Sequence, residues 1–129
     1  MRETIIAVDP GKATGVARRR SSGIIETHTF DDWRLAVAMV AASRPRTLVI
    51  ERYSVLPSAP WSSHNEPMWA TGALVYVAAA KGIAVHFQAP AFRNPALDEA
   101  ATYNPGTDHA LDACAHLLMY CRANSIDHF

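Results

Sequence analysis

The chain has 129 residues, room for one domain and too little for a two-lobed enzyme. Hydrophobic residues make up 50% and charged residues 19%, which excludes a disordered chain. Twelve basic residues balance twelve acidic ones, so the net charge is zero. That removes the simplest argument for a nucleic-acid partner, an overall basic chain. The balance hides an asymmetry. Residues 1–64 carry nine Lys/Arg against six Asp/Glu, and residues 65–129 carry three against six. A basic face beside an acidic pocket is one way to build such a chain.

Thr4 to Asp9 is a short β-branched run ending at an acid, and it predicts a buried strand. Pro10-Gly11 makes a turn, with Gly11 expected at positive φ. Thr14 to Arg19 predicts a second strand, Ser21-Ser22-Gly23 a turn, and Gly23 to Phe30 a third strand. Asp31-Asp32 offers an N-cap to a helix carrying Trp33, Val37 and Val40. Arg46 to Ile50 predicts a fourth strand, closed by Glu51. A loop with Pro57 and Pro60 follows, from Arg52 to His64. Asn65 caps a helix with Pro67 in its first turn, running to Lys81 and stopped by Gly82. Ile83 to Phe87 predicts a fifth strand, and a short helix is expected near Ala96 to Thr102. Thr107 caps a last helix through Arg122, with Ala110, Leu111, Cys114, Leu117, Leu118 and Cys121 as its apolar stripe. The order β-β-β-α-β-α-β-α predicts an α/β domain over residues 1–122, a mixed sheet with helices on its faces. Residues 123–129 are expected to be a flexible tail.

The two cysteines, Cys114 and Cys121, lie two helical turns apart, too far to bridge each other. They are expected as reduced core residues of a cytoplasmic protein. The first apolar run is cut by Asp9, unlike a signal peptide. The apolar stretch Ala70 to Ala80 falls short of the ~20 residues that span a bilayer.

The chemistry is carried by acids at the ends of elements. Asp9 closes the first strand and Glu51 the fourth. If these strands are parallel neighbours, both acids emerge at one sheet edge. Asp108 and Asp112 stand in the first turns of the last helix, with His109 between them. Residues three or four apart share a helix face, which places His109 or Asp108 beside Asp112. Converging carboxylates raise one another's pKa, and a divalent cation relieves the repulsion. An oxygen-rich set suits Mg²⁺ or Mn²⁺, and the imidazole tilts the choice toward Mn²⁺. Two such ions about 3.5–4 Å apart support in-line phosphodiester hydrolysis. A strand-terminal acid standing alone is commonly a cap or a solvated end. Three of them in this order argue for a site. Gly15 allows a backbone or a phosphate to approach closely.

Asp9-Pro10-Gly11 with Thr14-Gly15, then Ile50-Glu51, then His109-Ala110-Leu111-Asp112-Ala113, resemble the RuvC-like Holliday-junction resolvases of the ribonuclease H-like superfamily, in a short form similar to phage-encoded members. Gly72 and Gly82 also fit that pattern. The resemblance runs in element order from about Thr4 to Arg122, with only the acidic motifs specific. It implies a ribonuclease H-like fold, a homodimer and Mg²⁺- or Mn²⁺-dependent nicking of branched DNA such as a four-way junction, in a bacterial or phage-infected cell. It implies that Asp9, Glu51 and Asp112 are metal ligands. His109 stands where the family carries Asp or His, three residues before the last Asp. Asp108 is a further candidate ligand that the pattern does not require. Asp9 would bridge two ions, and His109 would ligate or orient the attacking water. The chain departs from the family in a shorter turn after Asp9 and a much shorter segment before the last helix. That segment lacks the expected lysine-rich stretch and keeps Arg93 as its basic residue.

Lys12, Arg18, Arg20, Arg52, Tyr53 and Arg93 are the candidate DNA contacts, Tyr53 as a stacking surface for an unpaired base. Strand alternation puts Arg19 on the face opposite Arg18 and Arg20. Trp61 and Trp69 are the other aromatics near the loop, Trp69 expected in the core. His28, His64, His86, His116 and His128 read as surface or satisfied core residues. Two further functions remain open. One is a ribonuclease H-like nuclease for flaps, linear DNA or RNA–DNA hybrids. The other is a non-catalytic branched-DNA binder or an actin-like ATP-binding domain. Length argues against the ATP-binding domain, which needs a second lobe. The acidic set argues against a pure binder.

Overall fold

The sheet is built from five strands: β1 (Ile5–Asp9), β2 (Thr14–Arg19), β3 (Ile25–Phe30), β4 (Thr47–Glu51) and β5 (Ala84–Gln88). Their order across the sheet is β3-β2-β1-β4-β5. The first three strands form an antiparallel meander, and β1, β4 and β5 run parallel. Among the described residues four α-helices accompany them: α1 (Trp33–Ser43), α2 (Asn65–Lys81), α3 (Leu97–Ala101) and α4 (Asp108–Ala123). A 3-10 segment, Pro90–Ala96, joins β5 to α3. The computed structural model of the protein describes residues 4–53, 65–103 and 105–126. The expected loop residues Pro57, Pro60, Trp61 and His64 lie outside the described residues, as does His128.

Successive side chains of a strand point to opposite faces, and β1 shows the consequence. Ile5 and Ala7 join Val49 in a core with Cys114, Leu117, Leu118 and Cys121 of α4. Ile6 and Val8 join Leu48 and Ile50 in a second core with Val40 of α1 and Leu74 of α2. The sheet is therefore covered on both faces, which is why β1 and β4 read as unbroken apolar runs. The same alternation sends the side chains of Asp9 and Glu51 to the face that α4 covers. Both cysteines are reduced and buried, as expected.

Local chemistry ends the elements. Asp32 caps α1 by accepting from Arg34 N, and Thr107 caps α4 by accepting from Ala110 N. At the end of α2, Gly82 adopts φ +69°, and Ile83 N donates to Ala78 O at 2.9 Å. This is the six-to-one bond of a Schellman turn, with apolar Ile83 closing the motif. The end of α4 repeats it with Ser125 at φ 54° and Ile126 N donating to Cys121 O. Ala123 is helical, and Ile126 packs on the α4 core.

Two other expectations are corrected. Gly11 is not among the positive-φ residues, which among the described residues with glycine are Gly23, Gly82 and Gly106. Its carbonyl instead accepts from Thr14 Oγ1 at 3.0 Å, and an added Cβ would meet Ala13 O at 3.0 Å. Tightness of the turn, not backbone handedness, is what a side chain there would disturb. Trp69 is 55% exposed and not in the core. The buried face of α2 is Ala70, Leu74 and Ala78, and Trp69 lies outside that stripe.

Candidate active site

Register places the acids. β1 and β4 pair in parallel with Val8 opposite Ile50, so Asp9 and Glu51 are the next residues of neighbouring strands. β4 and β5 pair with Glu51 opposite Gln88. Asp9, Glu51 and Gln88 thus form a row across one sheet edge. On the other side of β1, Asp9 pairs with Gly15. The backbone of α4 crosses directly above that glycine, where an added Cβ would lie 2.1 Å from His109 O. Gly15 lets the first turn of α4 settle on the sheet, and it is a backbone that approaches.

The helix then delivers three side chains from one face, at spacings of three and four. His109 Nδ1 lies 3.1 Å from Asp9 Oδ2. Asp112 Oδ1 lies 3.0 Å from Arg93 Nε. His116, fully buried, places Nε2 2.9 Å from Glu51 Oε1 and Nδ1 2.6 Å from Gln88 Oε1. With the Gln88 amide in this orientation, Nδ1 carries the proton toward Gln88.

Arg93 completes the cluster. It rises from the 3-10 segment and places Nη1 3.0 Å from Glu51 Oε1. The same Nη1 donates to Pro90 O. Arg93 Nε is close to Asp112, but its N–H is not aimed at that oxygen and no aligned acceptor meets it. The contact is one of charge more than of hydrogen-bond geometry.

The electrostatics follow from this crowding. Burial pushes the Asp9 carboxyl up, and its hydrogen bond and repulsion with Glu51, then Asp112, add to that. Arg93 only partly offsets them, and the pKa rises to about 9. Burial would also raise Glu51, but His116, Asp9 and Arg93 outweigh it and hold its pKa down. Burial raises Asp112, with Arg93 opposing and Glu51 reinforcing. Three carboxylates, two imidazoles and a guanidinium therefore share one small volume. The donor set is oxygen-rich and short of positive charge, which suits a hard divalent cation. Among the described residues, no three His, Cys, Asp or Glu side chains are already arranged to hold a metal. Arg93 reaches both Glu51 and Asp112.

The other candidates distribute by strand end. Exposed Lys12 lies in the β1–β2 turn, and exposed Arg52 follows Glu51, so both are at the acidic edge. Tyr53 lines a hollow of about 420 Å³ with Arg52, Met68, Thr71, Gly72 and Phe87. Asp108 is exposed and lines a separate hollow with Gly106, Thr107 and Leu111. Arg18 stands near the far end of β2 and Arg20 just past it, about 10 and 17 Å of chain from Gly15. There both pair with Glu26 at 2.8 Å, and the two guanidiniums hold its carboxyl down at about 2. Arg19, as alternation requires, lies on the other face and is buried. His116 is the residue that the sequence reading placed outside the site. Its signal was the seven-residue step from His109, which with Asp112 makes one helix face.

The strand order, mixed pairing and flanking helices define a ribonuclease H-like fold. The solved structures that share it include RuvC of Thermus thermophilus in complex with a Holliday junction substrate. That match has a TM-score of 0.70 and 16% identity, over 96% of this chain and 98% of that one. A second Thermus thermophilus RuvC structure matches at TM-score 0.57 and 18% identity, over 96% and 98%. The Fowlpox virus resolvase, in complex with Holliday junction DNA, matches at TM-score 0.56 and 16% identity, over 94% and 98%. No family model matches the sequence, and no curated protein sequence does.

Proposed function

We propose that the protein is a divalent-metal-dependent endonuclease that cuts phosphodiester bonds in Holliday junctions or other branched DNA. The observation that carries this reading is the convergence of Asp9, Glu51 and Asp112 on one edge of the sheet, with His109 on Asp9 and His116 on Glu51. The likeness of the whole fold to two resolvases bound to Holliday junctions supports it.

Asp9, Glu51, Asp112 and His109 are the residues that would hold Mg²⁺ or Mn²⁺, two ions per site. The ions would supply an activated water and charge stabilisation of the leaving oxygen. The chain's own groups do the rest. His109 orients the Asp9 carboxylate through Nδ1. His116 fixes the rotamer of Glu51 from within the core, where it has no freedom to move. Lys12 and Arg52, exposed at the acidic edge, are placed to meet backbone phosphates. Arg18 and Arg20 retain one net positive charge over Glu26 and would meet a more distant part of a DNA arm.

A junction presents two symmetric strands, so a homodimer with two-fold symmetry is the partner geometry. Exposed apolar side chains on α2 support this: Met68, Trp69, Val75 and Tyr76 recur at helical spacing around Gly72.

The test is substrate selection. Labelled four-way junction, linear duplex, flap and RNA–DNA hybrid are incubated separately with the protein in Mn²⁺ and in Mg²⁺. Paired symmetric nicks in the junction alone are expected. Preferential cutting of the hybrid or the flap would move the protein to another branch of ribonuclease H-like nucleases. Binding of the junction with no cutting in either metal would make it a binder.

A further inference from the structure

We propose that Arg93 is a tethered counter-cation of the acidic site, which a divalent ion must displace in order to bind. The inference rests on the metal site proposed above and concerns how that site is filled.

Arg93 spans the two carboxylates that belong to different elements, Glu51 at the end of β4 and Asp112 on α4, each at 3.0 Å. Its charge acts on all three carboxyls, opposing the rise of Asp9 and Asp112 and joining His116 in lowering Glu51. A guanidinium stays charged throughout the accessible pH range. Movement of the side chain is what takes its charge away from the site.

The fit of the guanidinium is that of a displaceable occupant. A side chain built to stay would place two parallel N–H bonds on one carboxylate. Arg93 instead divides itself between Glu51, Asp112 and the carbonyl of Pro90, and its Nε meets no aligned acceptor. Its side chain is 24% exposed, so it sits at the mouth of the cluster with a path outward. The backbone beneath it is held by Pro90 and Pro95, so the displacement is a rotation of the side chain.

Competition follows directly. With Arg93 inward, the acids are partly neutralised and weakly attract a second cation. With Arg93 outward, the site binds the ion, and the freed guanidinium lies beside the acidic edge, where a phosphate would pair with it. A DNA phosphate that draws Arg93 outward thereby favours metal loading, and metal loading favours phosphate binding by the same factor.

The test is calorimetric titration of Mn²⁺ alone, without DNA, into the wild type, Arg93→Gln, Arg93→Ala, Arg122→Ala and Asp9→Asn, each first checked for a cooperative metal-free melt. Arg122, in the last turn of α4, pairs with Glu99 of α3 and controls for loss of one positive charge. Binding tighter by at least about tenfold is expected for Arg93→Gln or, if that variant does not fold, for Arg93→Ala. Arg122→Ala should bind like the wild type. Unchanged or weaker binding without Arg93 overturns the proposal, as does equal tightening in Arg122→Ala. If Asp9→Asn abolishes binding while the Arg93 variants do not tighten it, the metal site stands and only this proposal falls. If no form binds Mn²⁺, the metal site falls and takes the proposal with it.

Discussion

A Cβ on Gly15 would stand 2.1 Å from the carbonyl oxygen of His109, inside any possible contact distance. The obstacle is helix backbone, with its C and the next N also within 2.6 Å, so no side-chain rotation relieves it. Gly15→Ala is expected to lift the first turn of α4 off β2 and carry His109 away from Asp9. The cost should be at least about 3 kcal/mol. Urea unfolding measures it, and a loss below 1 kcal/mol would show that the helix docks differently.

Asp9 makes metal-free stability depend on pH. Its folded pKa of about 9 lies far above the ~3.9 of an unfolded Asp, so between these values the folded chain binds the extra proton. Stability from this group is full below the unfolded pKa and is lost as pH rises through the folded one. Asp112, also raised, acts in the same direction. Glu51, lowered, acts below its ordinary range and leaves this window alone. Melting temperature without metal should therefore fall between pH 5 and 9, and Asp9→Asn should flatten the slope. An equally steep fall in Asp9→Asn would contradict the assignment.

His116 is buried between Glu51 and Gln88 and replaces water for both. His116→Ala leaves a cavity, strips Gln88 Oε1 of its partner and leaves Glu51 Oε1 to Arg93 alone, at a cost of about 2–4 kcal/mol. It also frees the Glu51 rotamer. Guanidinium unfolding gives the stability change, and Mn²⁺ affinity is expected to weaken as well. A stability change without any change in Mn²⁺ affinity would confine His116 to the core.

Tyr76 is 74% exposed on the apolar stripe of α2. If that stripe joins two copies, Tyr76→Glu should convert a dimer to a monomer in light scattering and leave the metal-free melt of the monomer within about 1 kcal/mol of neutral. A dimer that survives the substitution would place the interface elsewhere.

Phosphate contacts should divide by strand end. Lys12→Ala and Arg52→Ala, at the acidic edge, are expected to weaken junction binding and reduce its salt dependence by about one phosphate each. Arg18→Ala should have a smaller effect on DNA, because its guanidinium is already engaged by Glu26. The salt slope of binding separates the two groups.

Much of this was legible in the sequence because the strands announce themselves. β1 and β4 are buried on both faces and read as apolar runs ending in acids, which fixed Asp9 and Glu51 at element ends. Register then did what periodicity cannot, setting the two acids side by side and adding Gln88. The helix-face argument found His109 with Asp112 but stopped one turn short of His116, since an imidazole among apolar neighbours looks like core. Arg93 was visible only as a lone basic residue in a short segment. Its position depends on how the chain folds back between β5 and α4, and no local pattern encodes that. Trp69 was misplaced because α2 is apolar nearly all round, so its sequence does not say which face is buried.

The most direct test of the account is cleavage of a labelled four-way junction in Mn²⁺ by the wild type beside Asp9→Asn, Glu51→Gln and Asp112→Asn, with junction binding measured in parallel. The account predicts symmetric nicking by the wild type, loss of nicking by at least about a hundredfold in each variant, and retained binding. Nicking that persists in all three variants, or is absent from the wild type in both Mn²⁺ and Mg²⁺, would contradict it.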